Sequence, residues 1–145
     1  EDAPLIVPTF RVGEDKTASG GRFVWAPGEE GAKGVAGGGF ALYPMRIPKE
    51  GTWFLWARVY APTSSDDSFF VRIEQDGFEA LARSDWHLGS SREWRWIAFR
   101  RQGAPQPQGI SLKPGIATIE FRAREDGARL DGLCLSATPD LEPSK

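Results

Sequence analysis

The chain has 145 residues, of which 40% are hydrophobic, 26% are charged and 12% are aromatic, and its formal net charge is −2. A single domain of this size buries roughly 68–70% of its unfolded surface, so one hydrophobic core is expected to hold it without disulfides or metals. The weakly acidic balance disfavours a general nucleic-acid binder, and no apolar run approaches the roughly 18 residues that a membrane-spanning helix needs.

Short alternating runs of aromatic and β-branched residues predict strands, and no segment has the 3.6-residue period of a helix. The first candidate, residues 5–12, is weak because Pro8 interrupts it. Pro44 has no amide hydrogen for a sheet ladder, so it places its strand at an edge or a bulge. The remaining predicted strands follow in chain order at residues 22–25, 40–47, 52–60, 68–75, 94–99, 116–123 and 130–136.

Turn signals separate several of these runs, and they indicate how the strands are connected. Many short strands divided by such turns are typical of an all-β fold, an antiparallel two-sheet β-sandwich, which we assign to residues 1–137. The last residues, 138–145, contain two prolines and are predicted to be a tail or the start of a linker. The turn signals are Asp76-Gly77, Pro114-Gly115 and Asp126-Gly127, and the predicted surface loops are residues 26–39, 78–91 and 102–109.

The single cysteine and the single histidine limit the chemistry that the chain can perform. Cys134 has no partner for an internal disulfide, and His87 alone cannot form a multi-histidine zinc site. A Ser-His-Asp triad would have to use His87. An enzyme that uses Asp85 and His87 stays an alternative, although no pattern fixes two carboxylates at the separation that glycoside hydrolysis needs.

Six segments, taken in order, resemble the carbohydrate-binding modules of the galactose-binding-like β-sandwich group, families 6 and 35 above all. The resemblance implies a jelly-roll fold and a non-catalytic module that binds a polysaccharide or oligosaccharide. It also implies a secreted bacterial protein, outside the cell or at its surface, in which the module is covalently linked to a polysaccharide-active enzyme. The segments are ASGGRFVW (residues 18–25), GTWFLWARVYAP (51–62), DDSFFVRIEQDG (66–77), REWRWIAF (92–99), LKPGIATIEFRARE (112–125) and RLDGLCLS (129–136).

The resemblance also implies one structural calcium ion. In the family, glutamates at the start of the chain and an aspartate near its end share this ion, and they match Glu1 and Asp131 in the segment RLDGL. Hard oxygen ligands of this kind suit calcium. Asp131 could instead anchor its strand by hydrogen bonds.

Two aromatic positions of the family form a platform for the sugar, and they match Trp25 and Trp94. Trp96 then corresponds to the core tryptophan of that strand. The Trp-x-Trp spacing puts Trp94 and Trp96 on one side of the strand, so either the strand end leaves the core or a bulge redirects Trp94. Arg129 stands where the family has a binding asparagine, and this departure favours an acidic sugar.

Further ligand contacts are expected from Trp86 and His87, because they lie in a polar segment that reads as a loop, and from Arg92. Flat aromatic rings cover the apolar face of a sugar, while arginine and histidine donate hydrogen bonds to its edge. The tryptophans inside strands, Trp53, Trp56 and Trp96, are expected in the core. The alternative to sugar binding is a structural or protein-interaction sandwich that packs on a neighbouring domain.

Overall fold

The computed structural model describes residues 5–28, 38–140 and 143. Within these residues the chain forms strands joined by short turns, with one 3-10 turn at Ser19–Gly21. The strands are β1 Leu5–Val7, β2 Arg11–Glu14, β3 Arg22–Trp25, β4 Phe40–Ile47, β5 Gly51–Ala61, β6 Ser68–Gln75, β7 Phe78–His87, β8 Ser91–Ala98, β9 Ile110–Leu112, β10 Gly115–Ala123 and β11 Arg129–Ser136.

Two antiparallel sheets pack face to face, which confirms the predicted β-sandwich. The five-stranded sheet has the order β1-β4-β10-β6-β7, and the other has the order β2-β3-β11-β5-β8, with β9 added to the far end of β5. We call the second one the six-stranded sheet. Among the described residues, no helix has the length and apolar character needed to cross a membrane.

The period of two along each strand decides which side chains enter the core. In β5, Leu55, Ala57 and Val59 are fully buried between the sheets. The intervening residues of β5 therefore lie on the outer face of the six-stranded sheet. Phe69 and Phe121, from β6 and β10, meet edge to face at 5.7 Å between ring centroids in the middle of the core.

The weak strand at residues 5–12 is two strands rather than one. β1 pairs with β4 in the five-stranded sheet, and β2 pairs with β3 in the six-stranded sheet. Pro8 lies in the turn between them, where its missing amide hydrogen costs no ladder bond. Among the described residues, the pairing of β4 with β1 ends at Leu42, and Pro44 pairs with Thr118 of β10 on its other side.

The predicted surface loop at residues 78–91 is wrong, because most of this segment is the ten-residue strand β7. The register between β6 and β7 shifts on both sides of Ile73. This irregularity breaks the alternation in β7, so Leu81 and Trp86 are both buried although they are an odd number of positions apart. The predicted loop at 102–109 contains no strand. Of the predicted loop at 26–39, residues 29–37 lie outside the described residues.

Two of the tryptophans expected in the core lie on the outer face of the six-stranded sheet. Trp53 belongs to the core, as predicted, at 8% exposure. Trp56 is buried, at 9% exposure, but it pairs in register with Cys134 of β11 on the side of β5 that faces away from the core. Trp96 pairs with Arg58 on that same side and is half-buried. The outer face of β5 and β8 therefore carries several aromatic residues, with Arg58 among them.

Candidate functional site

Aromatic side chains and one arginine meet at one end of the outer face of the six-stranded sheet. Arg129, the first residue of β11, pairs in register with Trp25 at the end of β3 and with Tyr60 near the end of β5. Side chains of paired residues project from the same face of a sheet, so the three lie side by side. Phe23, two residues before Trp25, lies on the same side of β3 and is 4% exposed. We call Phe23, Trp25, Tyr60, Trp94 and Arg129 the aromatic cluster.

The Arg129 guanidinium lies among three of these rings. Its central carbon is 4.7 Å from the Tyr60 ring centroid, 5.1 Å from that of Phe23 and 5.4 Å from that of Trp25. Contacts of a cation with ring faces at these distances are attractive. Among the described residues, no carboxylate forms an ion pair with Arg129. The cation is thus held in place by rings, with its charge not neutralised by a direct acidic partner in this part of the chain.

Hydrogen bonds fix the indole of Trp94 in this cluster. Its ring centroid is 5.5 Å from that of Tyr60 and 5.8 Å from that of Phe23. The Trp94 Nε1–H donates to Asp15 Oδ2 at 3.2 Å and to Thr17 Oγ1 at 3.1 Å. Hydrogen bonds from the Thr17 hydroxyl and amide, with smaller contributions from Trp94 and Arg129, lower the pKa of Asp15. The half-buried ring therefore has a defined orientation before any ligand arrives.

A shallow pocket of about 280 Å³ adjoins Trp94. Its lining includes Thr17, Arg58, Tyr60, Trp94 and Arg92, which is exposed at the margin. Three of the residues expected to contact a ligand, Trp25, Trp94 and Arg129, are thus in one group, and Arg92 is beside it. Trp94 and Trp96 lie on one side of β8, as their spacing predicts, but this side is the outer face, so the expected core position of Trp96 is wrong. The register of β5 and β8 shifts near Trp94.

The sequence analysis missed two members of the cluster, Phe23 and Tyr60. Tyr60 occupies an outward position two residues after Arg58, and Phe23 lies two residues before Trp25. The alternation of these strands carried the signal, since residues two apart share a face. It was missed because both strands also contain apolar residues on their inner face, so the outward side could not be told from the pattern alone.

Trp86 is not a surface residue, contrary to the sequence-based prediction. It is 1% exposed and packs against Phe99 and Phe121, with ring centroids 5.4 Å and 5.7 Å away. A ring enclosed in this way cannot stack on a ligand. His87, the next residue, is exposed, but it lies at the rim of a different groove from the one at Trp94. Alternation along β7 places these neighbours on opposite sides.

Asp131 has an arginine as its partner. The carboxylate is fully buried, and its Oδ2 accepts hydrogen bonds from Arg58 Nη1 and from the Ser19 amide, the latter at 2.9 Å. Its Oδ1 has no hydrogen-bond partner among the described residues. Calcium takes six to eight oxygen ligands, and a guanidinium at the carboxylate does not fit such a donor set. Glu1 lies outside the described residues, so calcium binding by Glu1 and Asp131 stays a prediction.

The carboxylate and imidazole that an enzyme would use are close but open to solvent. His87 Nε2 is 3.9 Å from Asp85 Oδ2, which is also 3.5 Å from Arg124 Nε. Nothing in this geometry activates a nucleophile beside His87. In the described ranges, no group of three or more histidine, cysteine, aspartate and glutamate side chains is arranged to hold a metal ion.

Comparisons with known proteins identify the fold as that of carbohydrate-binding modules of families 6 and 35. A carbohydrate-binding module of Cellvibrio mixtus lichenase 5A, solved with cellotriose, aligns with a TM-score of 0.62 at 14% identity, over 94% of this chain and 92% of that one. A family 35 module from Clostridium thermocellum aligns with a TM-score of 0.61 at 17% identity, over 92% of this chain and 91% of that one.

Longer proteins are also similar over part of their length. A Podospora anserina β-(1,4)-mannanase with a family 35 module aligns with a TM-score of 0.65 at 14% identity, over 99% of this chain and 27% of that one. A curated Formosa agariphila protein, described as uncharacterized protein P23, is 26% identical over 107 residues. The match covers 70% of this chain but only 26% of that protein's length. No family model matches the chain.

Proposed function

We propose that this chain is a non-catalytic carbohydrate-binding module that holds a polysaccharide or oligosaccharide on the aromatic cluster. One observation carries the proposal: three half-buried aromatic rings, with the buried Phe23, surround an arginine that has no acidic partner among the described residues, and they lie on a sandwich with the fold of such modules. The rings supply flat apolar area, while the Arg129 N–H groups supply hydrogen bonds to the ligand's edge. The Trp94 indole, held by Asp15 and Thr17, adds a preorganised wall.

The module is proposed to be an appendage of a secreted polysaccharide-active enzyme. Support comes from two longer proteins: the match covers only 27% of the mannanase chain and 26% of the curated Formosa agariphila protein. A linked catalytic domain would perform the chemistry, and this domain would keep it near its substrate by raising the effective concentration.

The test is retention on polysaccharide gels, followed by titration calorimetry with oligosaccharides of each retained type. We expect Trp94→Ala and Trp25→Ala each to weaken binding by about tenfold, since a lost aromatic contact of roughly 1.5 kcal/mol corresponds to that factor. Arg46→Ala, on an exposed position of the opposite sheet, serves as the matched control and should bind like the wild type. Wild-type affinity in both tryptophan variants would remove the platform and favour a purely structural sandwich.

The salt dependence of binding, compared between the wild type and Arg129→Ala, tests whether the sugar is acidic. A uronate or sulfate held by its guanidinium loses affinity as salt rises, because exposed charges are screened over about 8–10 Å at 0.1–0.15 M. Arg129→Ala should then weaken binding and flatten the salt dependence. For a neutral ligand that stacks on the rings, salt should change the affinity little in either protein.

A further inference from the structure

A second groove lies along β8, beside the aromatic cluster, and its lining includes residues from both faces of this strand. It has a volume of about 590 Å³, and strand β8 forms one side of its floor. The lining includes Trp56, Trp96, His87, Arg95, Arg100 and Pro107. We call it the tryptophan groove. None of its lining residues belongs to the aromatic cluster, so the proposed sugar platform does not account for it.

The tryptophan groove and the aromatic cluster are neighbours along β8, with Arg58 between them. Trp94, in the cluster, and Trp96, in the groove, are two residues apart on one face, a rise of about 6.6 Å along the strand. Arg58 pairs with Trp96 in register, and its guanidinium carbon is 5.6 Å from the Trp94 ring. The Trp96 indole reaches past Arg58 toward β11, since a Cβ at Gly132 would lie 3.4 Å from Trp96 Cη2, an ordinary contact distance.

Hydrogen bonds hold both walls of the groove in place. Arg95 Nη2 donates to the carbonyl of Leu88 at 2.7 Å and to that of Gly89, which fixes the wall next to His87. On the other side, the backbone amide of Gln108, next to the lining residue Pro107, donates to the Phe99 carbonyl at 2.9 Å. A groove with walls that are already fixed loses little conformational entropy when it takes up a ligand.

The groove offers the chemistry that a sugar chain needs. The half-buried Trp96 supplies ring surface, and the exposed side chains of His87 and Arg100 supply donors at the rim. Trp56 is only 9% exposed and forms part of the wall. The indole N–H groups of Trp56 and Trp96 are both buried and have no hydrogen-bond partner in the described part of the chain. Because these N–H groups are closed to solvent, a ligand in the groove would meet the rings and the donors at the rim rather than the indole nitrogens.

We infer that one glycan runs along β8 from the aromatic cluster into the tryptophan groove. The ligand class is therefore an internal stretch of an extended polysaccharide rather than a chain end. The floor from Trp94 to Ala98 spans about 13 Å along the strand, longer than one sugar ring. This inference rests on the proposed function and assigns His87 and Arg100 to the far end of the same site.

The experiment measures affinity against chain length. Titration calorimetry would use oligosaccharides from disaccharide to octasaccharide of cellulose, xylan, mannan and galacturonan. For the wild type, we expect affinity for the retained glycan to rise with length until both surfaces are covered. A variant with His87→Ala and Arg100→Ala should bind the shortest ligands normally and lose about tenfold for the longest, the effect of two rim hydrogen bonds. Arg46→Ala is again the matched control.

Each outcome decides between the two proposals. If Trp94→Ala weakens binding but the rim variant keeps the wild-type dependence on length, the tryptophan groove is not part of the site and only this inference falls. If none of the four glycan series binds the wild type, the proposed function fails and this inference with it. A proline-rich peptide that binds the wild type, is lost in the rim variant and is not displaced by glycan would overturn the inference in favour of a protein partner.

Discussion

At the scale of single residues, two carboxylates lie close together: Asp67, just before β6, and Glu125, just after β10. The Asp67 amide donates to Glu125 Oε2 at 2.9 Å, which brings the two side chains together. Burial raises the pKa of Asp67, and the neighbouring charge of Glu125 raises it further, against smaller opposite effects of His87 and Arg124. Since this carboxyl binds its proton more tightly in the folded state, the folded protein gains stability through it as pH falls from neutral toward its ordinary pKa of 3.8.

We therefore expect Asp67→Asn to stabilise the protein at neutral pH. The amide removes the buried charge and the repulsion by Glu125, so the melting temperature should rise by roughly a degree or two at pH 7. The gain should shrink as pH approaches 4, because the wild-type carboxyl is then protonated. Melting curves of both proteins between pH 7 and 4 check this, with Asp76→Asn in an exposed turn as control. A difference that is independent of pH would contradict it.

At the scale of elements, the Arg58–Asp131 ion pair joins β5 to β11 in the middle of the six-stranded sheet. Both side chains are at least nine-tenths buried. Removing one partner of a buried pair leaves the other charge uncompensated and typically costs about 3–5 kcal/mol. We expect Arg58→Met to lower the free energy of unfolding by about that amount in urea denaturation. Adding Asp131→Asn should restore part of it, and a double variant no more stable than Arg58→Met would contradict this account.

Calcium can be tested on the same element. If Glu1 and Asp131 share an ion, binding to the folded state alone raises the melting temperature with free calcium. Melting the wild type in millimolar calcium and in excess chelator checks this prediction. Equal curves would argue that Arg58 is the only cation that Asp131 holds.

The strands show which parts of the fold the alternation of residues can predict and which it cannot. The segments 22–25, 40–47 and 68–75 were predicted with the bounds that the structure has, because alternation and turn residues agree there. β7 was missed because its irregular pairing with β6 puts Leu81 and Trp86 out of phase. A bulge depends on the partner strand, which lies elsewhere in the sequence, so the alternation of one segment cannot reveal it.

The site was predictable only in part, for a similar reason. Trp25, Trp94 and Arg129 were found through the resemblance, and they meet in one cluster. His87 was expected beside them and lies instead at the tryptophan groove, because strand direction and register decide which loop ends come together. Trp86 was assigned to the surface because the residues around it in the sequence are polar, which is typical of a loop.

At the scale of the whole molecule, an aromatic group holds the two sheets together. Trp86 reaches from β7 in the five-stranded sheet to Phe99, which continues the pairing of β8 with β5 through a 2.7 Å hydrogen bond from its amide to the Leu55 carbonyl. Phe121 of β10 covers the other side of the indole. The contact spans both layers, so it stabilises their packing rather than either sheet alone.

Trp86→Ala should therefore cost about 3–5 kcal/mol, the range for removing a large buried aromatic residue. Because a domain of this kind is stable by only about 5–15 kcal/mol, that loss is a large part of the total. Urea denaturation of the wild type, Trp86→Ala and the milder Trp86→Phe checks the ranking. Trp86→Phe should keep the sugar affinity of the wild type, and a selective loss of affinity in a stable Trp86→Phe would contradict the assignment of Trp86 to the core.

The position of Cys134 gives the protein a built-in chemical reporter. It is the only cysteine of the chain, and its pairing with Trp56 puts the thiol on the outer face beside the tryptophan groove. Partial burial raises the pKa of the thiol, so alkylating reagents should react slowly near neutral pH. A single fluorophore attached there by maleimide chemistry would lie next to the far end of the proposed glycan track. Its emission would report ligand binding at that end, while the fluorescence of Trp25 and Trp94 would report binding at the aromatic cluster.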